Sequence, residues 1–583
     1  MTDFSENFVL LETLRRDRGK KRTLFFADPL DIIECRCPSQ VSRCFRKMET
    51  ARRNGFHLAG FFSYELGYLL EESLAALLPP GDFPLFWFGV YDKPQSASCA
   101  PRGADFYLSE PALVQTRAKY SRAVGKIRDL IAAGDTYQIN YTTRVQFQFA
   151  GDVAAFYDRL KKNQKVSYSA LVRYCGNALV SLSPELFFRT DRNGRITVKP
   201  MKGTAPLHTP ADWLKKDPKN TSENVMIVDL LRNDLGRICL PGSVQVRKLF
   251  DIENYETLRQ MTSTVTGKLH PGLTIETLVK SLFPCGSVTG APKIRSMGII
   301  HDLEDAPRRI YTGAIGYFAP SGEAVFNVAI RTLDLRRKES GRYDATMGVG
   351  SGIVFDSRAD EEYDECLLKA RFLQNAMPSF GLIETLRVET GRVRKLSDHL
   401  RRLRASADFF GIPCPAGAIR NAIRLYSATL PDIAKLRLIL SADGTFRLES
   451  GRLPETPSDI PTIALSAVRM SSADPFIRHK TTFRKAYDDE FAKYSAKGFF
   501  DVIFLNEKGQ VTEGAISNLF VRIRGRWYTP PVSCGLLPGI QRRTLMKKWS
   551  VRESILYPDD LRLADQIVLS NAVRGITEVR LRG

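Results

Sequence analysis

Over the first ninety or so residues of this 583-residue chain, short apolar runs that read as strands alternate with charged stretches at helical spacing, as far as Gly60-Phe61-Phe62-Ser63-Tyr64-Glu65-Leu66-Gly67-Tyr68. Pro94 to Gly103 reads as a loop. Lys119 to Gly134 has apolar residues at helical spacing and a glycine stop, and the Thr, Tyr, Val and Phe content of Thr136 to Phe149 predicts a strand after it. The alternation continues to Lys369-Ala370-Arg371-Phe372-Leu373-Gln374-Asn375-Ala376. Pro378-Ser379-Phe380-Gly381 then breaks the pattern, and a new strand (Leu382 to Val388), turn (Glu389-Thr390-Gly391-Arg392) and helix carrying His399 to Phe410 begin. A domain boundary is therefore expected near Met377, dividing 1–377 from 378–583, with separate cores on either side. No internal repeat or low-complexity segment is apparent.

Within the first half the stretch Val198-Lys199-Pro200-Met201-Lys202-Gly203-Thr204-Ala205-Pro206 stands out. The run Arg195-Ile196-Thr197-Val198 predicts a strand ending at Pro200, and Gly203 permits close approach of a ligand, so Lys202 is expected to emerge at a strand end. A lysine held there, desolvated or beside another cation, can become a nucleophile near neutral pH, while Lys-Gly-Thr alone equally describes a solvated loop lysine. Acidic residues recur at helical spacing in Ser222 to Asp234, with Ser222 as the expected N-cap, and in Glu362 to Lys369. Spacings of three and four put Glu362, Glu365 and Lys369 on one face. Such oxygen-only carboxylate sets suit magnesium, and equally suit an ordinary charged helix face. Gly286-Ser287-Val288-Thr289-Gly290-Ala291-Pro292-Lys293 and Gly348-Val349-Gly350-Ser351-Gly352 read as glycine-rich turns able to aim backbone N–H groups at a carboxylate.

Composition narrows the classes. With 43% hydrophobic residues the chain can fill several cores, and about 150 residues per domain suggests about four structural units. Neither a signal-peptide pattern nor a membrane-spanning run occurs, which fits a cytoplasmic protein without a membrane partner. Ten cysteines show no paired spacing, favouring reduced structural thiols. The net charge of +21 invites nucleic acid as partner, but the cations are dispersed, runs such as Arg15 to Arg22 are short and mixed with acids, and no nucleic-acid motif is present. A basic surface that attracts small anionic substrates, or one that is merely solvated, is the reading retained.

Taken in order, Ser183-Pro184-Glu185-Leu186-Phe187, the Lys202 stretch, Glu223 to Asp234, Phe283 to Lys293, Tyr311-Thr312-Gly313, Ala329-Ile330-Arg331-Thr332, the Gly350 turn and Glu362 to Ala370 closely resemble the chorismate-using family of anthranilate and aminodeoxychorismate synthases. The resemblance implies a β-sandwich core with surrounding helices, and magnesium held by Glu223, Glu362 and Glu365 on the ring carboxylate of chorismate. It implies substrate-carboxylate contacts from Gly203, Thr204, Lys369 and the Gly350–Gly352 backbone, with Tyr311 and Arg331 at the enolpyruvyl arm. Anthranilate synthases resemble Pro-Ile-Ala-Gly-Thr where this chain has Lys202, whereas aminodeoxychorismate synthases carry a lysine that adds to the ring before ammonia displaces it. Asn220 replaces an acid, and Gln260 a histidine, found in many relatives. No glutaminase motif appears, so ammonia is expected from a separate glutamine amidotransferase or from solution.

In the second half, Leu396 to Leu403, Ile477 to Phe483, Val511 to Phe520, Leu536 to Arg542 and Leu569-Ser570-Asn571-Ala572 together resemble the branched-chain-aminotransferase-like, fold type IV group of pyridoxal-phosphate enzymes, and within it aminodeoxychorismate lyase. By this resemblance Lys480, among Arg478, His479 and Arg484, carries the cofactor and then acts as base, and Glu513 faces the pyridine nitrogen. Arg402 pairs with the phosphate, helped by the backbone of Gly539, Ile540 and Gln541 and by Ser570 and Asn571; Gln541 replaces a common threonine. Part of the usual N-terminal strand is missing, so this half is expected to lean on the first half or on a second subunit, a homodimer through the C-terminal half. The fold class implied is α+β, a sandwich followed by an α/β module. The implied function is amination of chorismate and then loss of pyruvate to give para-aminobenzoate, a folate precursor. Two alternatives remain at this level: an anthranilate-type synthase fused to a D-amino-acid or branched-chain aminotransferase, and a nucleic-acid-binding protein with decayed enzyme modules.

Overall fold

The computed structural model describes residues 7–14, 23–95, 106–206, 210–254, 258–339, 341–374, 376, 380–453, 459–472 and 474–582. Met377 with the expected boundary, the basic run 15–22 and most of the loop 94–103 lie outside them. The first half is built on two sheets of ten strands each among the described residues. In His57–Phe62 and Phe86–Tyr91 apolar residues run without a polar alternate, because both faces are covered. Leu58, Phe62, Phe86, Phe88 and Val90 pack outward against the helices Val41–Arg53, Pro218–Gly236 and Ile275–Leu282. Their neighbours Ala59, Phe61, Trp87 and Tyr91 point inward and meet Phe26, Val172, Tyr174 and Leu179 of the other sheet. That other sheet is covered on its far side by Arg117–Ala132, Val153–Asn163 and Ala359–Gln374. The result is the expected sandwich between helix layers. Each large aromatic buried there withdraws about 150–250 Å² from water, about 4–6 kcal/mol at 25 cal/mol/Å².

The second half pairs a four-stranded sheet, ordered Arg392–Val393, Gly381–Glu389, Ile433–Ser441 and Phe446–Gly451, with a mixed eight-stranded sheet that includes Asp501–Asn506, Val511–Gly514, Asn518–Ile523 and Gln566–Asn571. The helices Leu396–Phe410 and Ala416–Ser427 cover the smaller sheet. The cores are not fully separate: Tyr107 of the first half is buried among Phe380, Phe410 and Phe476 of the second. No helix among the described residues is long and apolar enough to cross a membrane.

Two local expectations are corrected. The helix expected to be capped at Ser222 begins earlier, at Pro218, because Asp217 caps it by accepting from the Asn220 N–H at 2.9 Å and Pro218 occupies the first turn. Gly348 to Gly352 is not a turn but lies in the strand Tyr343–Ile353, paired with Gln138–Gly151 through Gly348↔Arg144, Gly350↔Thr142 and Gly352↔Asn140.

Candidate active sites

The glycines of Tyr343–Ile353 explain themselves by what fills their place. A Cβ on Gly348 would fall 2.0 Å from Cγ of Tyr311, on Gly350 2.4 Å from the Tyr141 carbonyl oxygen, and on Gly352 2.4 Å from Nε2 of Gln138. Lys202 Nζ lies 3.4 Å from that last position. Lys202 is the second residue of Met201–Pro206, whose pairing with Leu258–Lys268 shifts register between Met201↔Thr262 and Thr204↔Gln260. Gly203 sits at that irregularity with φ +81°, and a Cβ there would be 2.9 Å from Oδ1 of Asn220. Lysine and glycine thus meet where one sheet faces the other. Gln138 donates to Oε2 of Glu223 at 3.3 Å, while its own Oε1 is buried with no hydrogen-bond partner among the described residues. Lys369 donates to the Gly350 carbonyl at 2.6 Å and pairs with Glu365 at 2.7 Å. Glu362 is buried and accepts from Ser357 Oγ at 2.7 Å.

Glu185, quoted in the sequence as part of a motif but given no role, is buried and accepts from Ser287 Oγ at 2.7 Å. Burial pushes its carboxyl up to about 7, against the Ser287 hydrogen bond and the nearby Lys202 charge. Arg331 has φ +50°, and its Nη1 donates to Gln164 at 3.1 Å. Among the described residues no three His, Cys, Asp or Glu side chains gather closely enough to hold a metal ion. Glu223, Glu362 and Glu365 offer carboxylate oxygens only, the donor type magnesium takes, but each is now bonded to a separate protein partner.

A second site lies between the two sheets of the C-terminal half, in a cavity of about 530 Å³. The backbone of Lys480 is laced to Gly381–Glu389: its carbonyl accepts from Ile383 N–H at 2.7 Å, and Thr482 N–H donates to Gly381 at 2.8 Å. Its Nζ donates to Thr385 Oγ1 at 2.8 Å. Burial lowers the Lys480 amine to about 7; Arg402, Arg484 and Arg437 push the same way and Glu384 opposes them. Burial would raise Glu384, but Arg402, forked onto it at 2.9 and 2.7 Å, and His399 at 2.6 Å hold it down at about 2. Glu513 accepts from Leu537 N–H at 3.1 Å, Tyr487 at 3.2 Å and Asn518 at 3.0 Å, and burial raises it to about 8.

Across the cavity Gly539 caps the helix Ile540–Lys548, and a Cβ there would meet Asn518 Oδ1 at 2.0 Å. Ser570 Oγ is buried with no hydrogen-bond partner among the described residues. A free hydroxyl beside backbone N–H groups at a helix start fits a phosphate, and Lys480 and Glu513 fit the remainder of a pyridoxal cofactor. Two side chains expected at the phosphate are now engaged elsewhere: Arg402 is forked onto Glu384, and Asn571 bonds the backbone of Ile516, Val573 and Arg574. The Gln541 side chain, of which only the backbone was expected there, accepts from Lys395 at 2.8 Å. Thr385 and Arg437, which face each other in register across Gly381–Glu389 and Ile433–Ser441, were not singled out in the sequence. Only their alternation with core residues marks them, and many exposed strand positions share that signal.

Residues 11–375 match the family described as chorismate binding enzyme, and residues 381–581 match amino-transferase class IV. The chain is similar to aminodeoxychorismate synthase component 1 of Klebsiella aerogenes, 32% identical over 63% of this chain and 87% of that protein. It is 31% identical to anthranilate synthase component 1 of Methanothermobacter marburgensis over 64% of this chain and 91% of that one. It is 39% identical to the chloroplastic aminodeoxychorismate synthase of Arabidopsis thaliana over 46% of this chain, but spans only 30% of that protein's length. With the first match running over more than half of its residues, the chain belongs to the chorismate-binding enzymes, and a class IV aminotransferase unit follows in the same polypeptide.

Proposed function

We propose that the first half converts chorismate and ammonia to aminodeoxychorismate and water, and that the second half splits aminodeoxychorismate into para-aminobenzoate and pyruvate. The observation that carries this reading is Lys202, an amine against Gly352 where anthranilate synthases are expected to have no lysine. Lys202 supplies the nucleophile for the ring carbon. Glu185, near neutral in pKa, supplies the proton for the departing hydroxyl. Lys369 and the Gly350–Gly352 backbone bind substrate carboxylate, with Gly203 and Thr204 opposite and Tyr311 and Arg331 toward the enolpyruvyl arm. Magnesium, held by Glu223, Glu362 and Glu365 in exchange for their present partners, would neutralise the ring carboxylate. Ammonia comes from a glutamine amidotransferase.

In the second half bound pyridoxal phosphate supplies an electron sink. Arg402, Ser570 and the backbone N–H groups of Gly539, Ile540 and Gln541 bind its phosphate, Asn571 shapes the adjoining loop, and Glu513 meets its ring nitrogen. Lys480, neutral in about half of molecules at its pKa of about 7, takes the ring proton, and Thr385 holds its amine in place. Arg437 and Lys435, on one strand at the cavity wall, suit the substrate carboxylates. The elimination fits this pair better than transamination because both product halves arise from one cofactor state and no amino acceptor is needed. The test supplies chorismate and ammonium salt, with and without pyridoxal phosphate, and identifies the products. Aminodeoxychorismate alone without the cofactor, and para-aminobenzoate plus pyruvate with it, is expected; anthranilate as the main product refutes the reading.

A further inference from the structure

Two of the contacts between the halves lead to Lys480. Tyr107, in Phe106–Leu108 at the edge of the first half's sheet, sets its ring edge-on to Phe380 at 5.2 Å and to Phe410 at 5.4 Å. Phe410 stacks on Phe476 at 5.0 Å, and Phe380 lies 4.9 Å from Phe483. Phe476 and Phe483 bracket Lys480 in the chain. Arg342 places its guanidinium 3.5 Å above the ring of Phe409, which also meets the His479 imidazole at 4.2 Å and the Phe410 ring at 4.9 Å. His479 is fixed further by Ser406 Oγ at 2.9 Å and immediately precedes Lys480. Arg342 Nε is buried with no hydrogen-bond partner among the described residues, so its contribution is the planar stack rather than an ion pair.

We propose that Tyr107 and Arg342 are positioning residues of the second active site: they brace the aromatic layer that fixes the segment Phe476–Phe483 and thereby the placement of the Lys480 amine. Within the core of the second half the first half supplies part of the cover, Tyr107 against Phe410 and Arg342 against Phe409. This gives physical content to the missing part of its N-terminal strand. The proposal rests on Lys480 being the reactive lysine.

The test uses the full chain with pyridoxal phosphate and supplied aminodeoxychorismate, in Arg342→Met, Tyr107→Leu and Tyr107→Phe. Loosening the bracing by a fraction of an ångström should lower kcat for pyruvate release about tenfold in Arg342→Met and Tyr107→Leu, with KM nearly constant. The absorption band of the lysine-bound cofactor should shift in the same two variants. Tyr107→Phe, which keeps the ring, should restore both readouts to wild-type values. The proposal is overturned if kcat and the absorption band are unchanged in Arg342→Met and Tyr107→Leu, or if kcat per folded, cofactor-loaded molecule is unchanged while only the folded fraction falls. Lys480→Ala separates the two readings: if that variant still turns over and retains covalent cofactor, the assignment of Lys480 fails, whatever the brace variants do.

Discussion

The depressed amine of Lys480 makes a quantitative prediction. A lysine at 10.5 exposes about one neutral amine in three thousand at pH 7, whereas at about 7 roughly half are neutral, a gain of more than a thousandfold in nucleophile. The sign follows from deprotonation: reactivity should rise with pH through about 7 and level off above about 8. Folding responds in the same sense. The unfolded chain binds the extra proton between about 7 and 10.5, so the cofactor-free fold is penalised below about 7, by at most about 5 kcal/mol, and recovers that stability as pH rises toward 10.5. Arg402→Met removes the largest charge effect on Lys480 and leaves Glu384 less compensated, and both changes raise the lysine. Its midpoint should climb by at least about one pH unit. The assay is trapping of phosphate-free pyridoxal with borohydride from pH 6 to 10, followed by peptide mapping; omitting the phosphate keeps Arg402's role as a phosphate ligand out of the result. A wild-type midpoint near 10, a midpoint unmoved in Arg402→Met, or label on Lys485 or Lys493 would refute the reasoning.

Lys202→Ala should abolish aminodeoxychorismate formation from chorismate and ammonia while supplied aminodeoxychorismate is still consumed normally; retained synthase turnover would remove Lys202 from the chemistry. Glu362→Gln and Glu365→Gln should each raise the magnesium concentration needed for half-maximal first-step activity, and identical titrations in both would return these residues to a charged helix face. Ser570→Ala should weaken pyridoxal phosphate binding about threefold to tenfold, the worth of one hydrogen bond. It should also leave the cofactor-free chain as stable or slightly more stable, because the hydroxyl removed has no partner there; equal affinity with reduced stability would refute its place at the phosphate.

Much of this was legible in the sequence where a motif and a period agree. The strand Gly381–Glu389, its hairpin and the helix Leu396–Phe410 follow from alternation, a Thr-Gly turn and helical spacing, and all three were expected within a residue or three. Glu365 and Lys369 pair as their spacing of four requires. Gly348 to Gly352 was misread because glycine density signals a turn unless a neighbour occupies the missing side chains, and Tyr311 and Gln138 come from elsewhere in the chain. The cap was misplaced because serine and aspartate are both good N-caps, and Pro218 after Asp217 was the stronger signal. Lys202 was placed near a strand end, but the strand it faces, Tyr343–Ile353, lies in the other sheet, a relation no local pattern carries. Glu384 illustrates the remainder: it shares its strand with the polar Thr385, Arg387 and Glu389, and only the fold brings Arg402 and His399 onto it.

The strand Tyr343–Ile353 begins one residue after Arg342 and ends beyond Gly352, so it spans the distance from the brace to the first site, about 30 Å at 3.3 Å per residue. A turnover at 1–10³ per second lasts a millisecond or more, during which a small molecule released at one end explores far more than that distance. Physical linkage along one strand therefore does little to retain a freely diffusing intermediate. What it fixes is stoichiometry: under the proposed function every copy of the first centre carries one copy of the second, so the balance of the two steps is set by their rate constants and cannot be altered by unequal synthesis of two polypeptides.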